Sequence, residues 1–73
     1  MKKYSRSVFG KKLQKLRRER MVGQLELSEA IGASVNAVSK WENGRVFPEL
    51  KYFCRICNEF DVTPNEMLEV DDE

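Results

Sequence analysis

The sequence predicts an all-α fold built from five short helices. Three observations lead there. Apolar residues recur at helical spacing in segment after segment, and no stretch alternates as a strand would. Glycine, proline and capping residues fall between those segments, where helices must stop and start. The chain has 73 residues, so it has room for one small helical core and little else.

Helix 1 is expected from near Ser7 to Arg20, with Phe9, Leu13 and Leu16 forming one apolar stripe and Ser5 or Ser7 as its cap. Met21-Val22-Gly23 interrupts the pattern. Helix 2 is expected over residues 24–31, with Leu27 and Ile31 on one face, and Gly32 ends it as a left-handed residue. Ser34 then caps helix 3, which reaches Glu42 or Asn43 and turns Val38 and Trp41 inward. Asn43-Gly44 is a stop signal, and a loop through Arg45, Val46 and Phe47 leads to Pro48, which suits the first position of helix 4. Leu50, Phe53, Cys54, Cys57 and Phe60 give that helix an apolar face. Thr63-Pro64-Asn65-Glu66 reads as a capping box with proline at the first helical position, opening a fifth helix with Met67, Leu68 and Val70. The expected core joins Leu16, Leu27, Ile31, Val38, Trp41, Phe53, Cys57 and Phe60.

Composition narrows the function. No segment approaches the ~20 apolar residues of a membrane span, and no signal core follows the basic N-terminus, so the expectation is a cytoplasmic protein without a membrane partner. There is no histidine, the commonest general base. Two cysteines alone do not complete a structural zinc site. No phosphate-binding glycine loop or nucleophile elbow appears. The expectation is therefore a protein that is not an enzyme, with no cofactor, no metal and no small-molecule ligand. The net charge of +1 conceals an asymmetry: residues 1–20 carry nine basic groups against Glu19 alone, while residues 21–73 carry four basic and eleven acidic groups. A basic segment on an acidic body fits either a polyanionic partner or a solvated helix face. By these lines the chain divides into a basic arm (1–6), a helical domain (7–70) and an acidic tail (71–73).

The informative stretch runs from Gln24 to Asn43. Two helices joined by about three residues must cross steeply, as in a helix-turn-helix. Ser28 or Ala30 supplies the small residue where they touch, and Gly32 supplies the turn. With Leu27, Ile31, Val38 and Trp41 inside, Val35, Asn36, Ser39 and Lys40 are left outside on helix 3. Such a face fits the major groove of DNA.

From residue 8 to residue 68 the chain resembles the Cro and phage-repressor (XRE) class of helix-turn-helix proteins. The resemblance rests on Leu16-Arg17, Gln24, Leu27, Gly32, the run Val38-Ser39-Lys40-Trp41-Glu42-Asn43-Gly44, and Pro48 three residues after Arg45. Phe53, Ile56-Cys57, Phe60, Val62 and Met67-Leu68 occupy the family's later apolar positions. Four positions depart from the pattern: Met21 and Asp61 stand at usual glycines, Gly23 at a usual Ser or Thr cap, and Ser28 at a usual alanine.

The resemblance implies a lambda-repressor-like fold and sequence-specific binding of a double-stranded DNA operator by a small transcriptional regulator, a repressor acting as a homodimer. It also implies that Gln24 clamps one phosphate, that Asn43 and Arg45 contact a second, and that Arg17 and Glu42 form a structural ion pair. Among the outward residues, Asn36 can bond both N6 and N7 of adenine, Lys40 can reach guanine, and Val35 can meet a thymine methyl; Ser39 can bond bases, backbone or phosphate. Two other readings stand beside this one: the DNA-binding antitoxin of a toxin–antitoxin pair, and a protein-binding scaffold that has lost DNA binding. Cys54 and Cys57 have redox-motif spacing without the βαβ context such a motif needs, and both are expected to be buried packing residues. Phe47 either folds back on its own core or joins a dimer contact.

Overall fold

The computed structural model describes residues 5–68, and within them the chain forms α1 (Arg6–Glu19), α2 (Gln24–Ile31), α3 (Val35–Glu42), α4 (Leu50–Phe60) and α5 (Pro64–Leu68), with no strand. Lys2 and Lys3 of the basic arm, Val70 and the acidic tail lie outside the described residues. Each helix begins and ends for a local reason. Ser5 Oγ accepts from the Val8 N–H and caps α1. Gly23 has no side chain to cap α2, but the Glu26 carboxylate accepts the Gly23 N–H at 3.0 Å, half of a capping box. Ser34 Oγ accepts from Ala37 N–H at the start of α3. The α5 box is complete: Thr63 Oγ1 accepts from Glu66 N–H, and Glu66 Oε1 accepts from Thr63 N–H at 2.8 Å. Hydrogen bonding of the Glu66 carboxylate by the Thr63 backbone N–H, and by the Thr63 side chain, holds that carboxyl below the ordinary glutamate range.

At the C-terminal ends, Gly32 adopts φ +75°, and the Ala33 N–H turns back to the Ser28 carbonyl at 2.8 Å. This left-handed residue is what lets α3 follow α2 with only three residues between them. Asp61 does the same for α4 at φ 54°, with Val62 N–H reaching Cys57 O. Met21 also sits at φ 57° and is 91% exposed. The two usual-glycine positions filled by Met and Asp are thus left-handed, and in Met21 a Cβ meets the steric penalty that glycine lacks. Met21→Gly is expected to raise stability by about 0.5–1 kcal/mol, the relief of strain less the added freedom of the unfolded chain. In a thermal melt that is a rise of several degrees; a lower melting temperature would show that the methionine contributes packing after all.

Helix 4 begins later than its proline suggested. Glu49 is extended (φ −59°, ψ 155°) and caps the helix, the Phe53 N–H to Glu49 carbonyl bond is the first of its ladder, and Pro48 lies before the cap. The phase of α4 also differs in part from expectation. Ile56, Cys57 and Phe60 are buried and Phe53 packs at the rim, but Leu50 is 74% exposed and Cys54 is exposed. At 100° per residue Cys54 lies well off the arc shared by Phe53, Ile56, Cys57 and Phe60. The cysteines therefore differ: Cys57 packs in the core, its thiol pKa pushed up by burial and by neighbouring Cys54, while Cys54 faces solvent.

The core comprises Phe9, Leu13, Leu27, Ile31, Val38, Trp41, Ile56, Cys57, Phe60 and Met67. Leu16 and Phe53, expected inside, are partly buried and pack against it. Phe47 folds back: its ring lies 5.8 Å from that of Phe9, yet it stays 40% exposed. In this frame α1 rests on α3 and α5, and α2 rests on α3 and α4. Helix 3 is thus backed by α1 and α2 and leaves one long side to solvent.

Candidate nucleic-acid interface

The pair α2–α3 is the expected helix-turn-helix. Leu27, Ile31, Val38 and Trp41 are all buried. Ser28 is the small residue at the crossing, 2% exposed, and its hydroxyl donates to the Leu25 carbonyl at 2.7 Å so that no polar atom is stranded. Ala30, the other candidate, is exposed.

On the outer side of α3, Asn36 and Lys40 are exposed and Val35 is 39% exposed. Ser39 is half-buried, and its hydroxyl accepts from Asn43 Nδ2 at a long 3.5 Å. The four residues share one face because the inward arc is filled by Val38, Trp41 and Glu42. Asn43 follows the helix on that same exposed side. Arg45 is exposed, and its carbonyl accepts from Arg6 Nη1 at 3.1 Å, which ties the loop after α3 to the start of α1.

Gln24 is placed by a network. Arg17 donates to Glu42 in bidentate fashion, Nε to Oε2 at 2.6 Å and Nη2 to Oε1 at 3.0 Å, and its Nη1 donates to the Val22 carbonyl at 2.9 Å. Gln24 Nε2 donates to the same Oε1 at 2.9 Å. The side chains of Arg17 and Glu42 are 11% and 1% exposed. The hydrogen bond to Glu42 raises the guanidinium pKa above its already high ordinary value, against the opposing effect of burial. The ion pair implied by the resemblance is therefore present. It also does something the sequence did not signal, since Gln24 and Glu42 are 18 residues apart. One amide hydrogen of Gln24 is bound to Glu42, so the side chain is oriented and its second hydrogen remains for another acceptor.

The basic groups of α1 are less available than their number suggests. Arg20 Nη2 donates to the carbonyl of Phe60, at the end of α4, and its guanidinium lies 5.5 Å from the Phe60 ring. Lys12 Nζ donates to the Glu66 carbonyl of α5 at 2.9 Å. With Arg6 and Arg17, four of the seven basic side chains in the described part of this segment, residues 5–20, bond to acceptors within the fold. Much of the charge asymmetry is thus the chemistry of tying α1 to its neighbours.

Among the described residues no cluster of metal-ligating side chains occurs, and no helix is long and apolar enough to cross a membrane.

Comparison with known proteins accords with this geometry. The HTH-type transcriptional activator BcrR of Enterococcus faecalis is 38% identical over 60 residues, 82% of this chain and 29% of its own length. The chain thus spans less than a third of that relative. The P22 c2 repressor, solved with a synthetic operator, superposes with a TM-score of 0.83 at 22% identity, over 88% of this chain and 97% of that one. The restriction-modification controller protein C.AhdI of Aeromonas hydrophila gives 0.79 at 24% identity, over 86% and 96%. At such identities the two structures speak for the fold alone, that of these small helix-turn-helix domains. The sequence pattern of the helix-turn-helix domain family matches residues 10–73, nearly the whole chain, and the chain belongs to that family.

Proposed function

We propose that the chain binds double-stranded DNA sequence-specifically as part of a transcriptional regulator, with α3 in the major groove. The observation that carries this reading is the exposed polar face of α3, bearing Asn36 and Lys40, beside a Gln24 amide held by Glu42. Asn36 and Lys40 read bases, with Val35 and Ser39 as lesser contacts; Gln24, Asn43 and Arg45 hold phosphates. The activity is binding rather than catalysis, and the setting is the cytoplasm. Repression follows most simply, because a bound domain occludes its operator, whereas activation needs a productive contact with polymerase as well. A single recognition helix spans few base pairs, so two copies on two half-sites supply the affinity. A shallow apolar hollow bordered by Phe47, Pro48, Leu50, Phe53 and Leu68 supports a homodimer through that side.

The reading separates two kinds of variant. Asn36→Ala should cost about 1–3 kcal/mol on a selected operator and relax discrimination at one base pair per half-site, with little change on random duplex. Gln24→Ala and Arg45→Ala should weaken good and poor sites by similar factors, because phosphates carry no sequence. Titration of each variant against the operator, its single-base variants and random duplex at one fixed salt makes the comparison. An identical pattern for Asn36→Ala and Gln24→Ala would overturn the assignment.

A further inference from the structure

We propose that Lys51 and Arg55, both held against the Tyr52 ring on α4, form a second phosphate-holding row on the flank of α3 opposite Gln24. The proposal rests on the DNA-binding reading above and extends it to the other strand. It starts from the two shoulders of α3. Residues four apart on a helix lie nearly above one another, so Val38 and Glu42 share one shoulder and Ala37 and Trp41 the other. The Glu42 shoulder meets Arg17 of α1 and Gln24 of α2. The Trp41 shoulder meets α4, where the Tyr52 ring lies 5.8 Å from the indole. A helix seated in a major groove about 12 Å wide has a phosphate backbone along each side. Gln24 serves one side, and the cluster around Tyr52 faces the other.

That cluster is basic and braced. Lys51 Nζ lies 5.0 Å from the Tyr52 ring centroid, and the Arg55 guanidinium lies 5.8 Å from it. Arg55 Nη1 donates to the Ile31 carbonyl at 3.0 Å, which fixes the guanidinium beside the turn that leads into α3; among the described residues its other donors bond to no acceptor. Both side chains are exposed, and neither pairs with a carboxylate among the described residues. Their position in the charge pattern is selective. Residues 21–73 hold eleven acidic groups and four basic ones, Lys40, Arg45, Lys51 and Arg55. All four lie on α3, just after it, or around the tyrosine that abuts it. An otherwise acidic body that gathers its cations about one helix complements a polyanion along both edges of that helix.

The test uses the full chain and a duplex selected from a random library. Lys51→Gln and the double variant with Arg55→Gln are titrated at a series of salt concentrations, and phosphate-ethylation interference is mapped on each strand. Lys51 bonds no acceptor among the described residues, so Lys51→Gln tests the role without disturbing the fold; a thermal melt monitors Arg55→Gln. The log–log salt slope should fall by about 0.9 for each phosphate that is no longer neutralised. Lys51→Gln should erase interference on the strand opposite to that affected by Gln24→Ala. A wild-type slope in folded variants, or loss of interference on the Gln24 strand, would overturn this inference and leave the DNA-binding reading intact. No binding of any duplex by the wild-type chain would overturn both.

Discussion

Gly10→Ala is expected to destabilise the domain by about 3 kcal/mol or more, although alanine ordinarily favours an α-helix over glycine by roughly 0.5–1 kcal/mol. The reversal comes from a close approach. A Cβ at residue 10 would stand 2.5 Å from the Trp41 carbonyl oxygen and 2.6 Å from that of Glu42, both main-chain atoms at the end of α3. Main chain at a helix end cannot swing aside as a side-chain tip can. Helices α1 and α3 would have to part by about an ångström, loosening Phe9 and Leu13 in the core and stretching Arg17 from Glu42. A urea melt should show a lower midpoint at unchanged slope. A variant more stable than the wild type would mean that the helices do not touch here.

Arg17→Ala is expected to cost a comparable ~3–5 kcal/mol. The carboxylate of Glu42, 1% exposed beside the guanidinium, would lose that partner and keep the Gln24 amide as its remaining side-chain donor among the described residues. The magnitude reflects an uncompensated buried charge rather than the worth of the pair, and that distinction is measurable. Replacing both partners, Arg17→Met with Glu42→Met, should recover much of the loss, since apolar groups of similar volume often replace a buried ion pair at little cost. The double variant should nonetheless bind DNA less well than the wild type, because Gln24 loses the acceptor that orients it. A double variant as unstable as Arg17→Ala would show that the cost comes from poorer packing or from the Val22 carbonyl left without its donor.

Gly10 shows how a signal can be present in a sequence and still go unread. A glycine in the middle of a helical pattern is costly unless something approaches closely. The sequence contains the glycine; it does not contain the identity of the approaching atoms, which belong to Trp41 and Glu42 on a different helix. The cysteines show the opposite case. Cys54 and Cys57 both fit an apolar face drawn through α4, and α4 buries only Cys57 because its neighbours cover a narrower arc.

The features legible in the sequence are local: five helices, the Ser34 and Thr63 caps, the Gly32 turn, the buried set Leu27, Ile31, Val38 and Trp41, and hence the outward position of Asn36 and Lys40. Capping, left-handed turns and helical periodicity act over a few neighbouring residues, so they are written in short runs of sequence. Which side chains meet across those helices is a property of their packing. That packing bonded Gln24 to Glu42, turned α1 cations onto the carbonyls of α4 and α5, folded Phe47 onto Phe9 and set Tyr52 with its two cations against Trp41. Those meetings depend on how whole helices cross. Helix crossing is fixed by the packing of every buried side chain at once, so no single stretch of sequence specifies it.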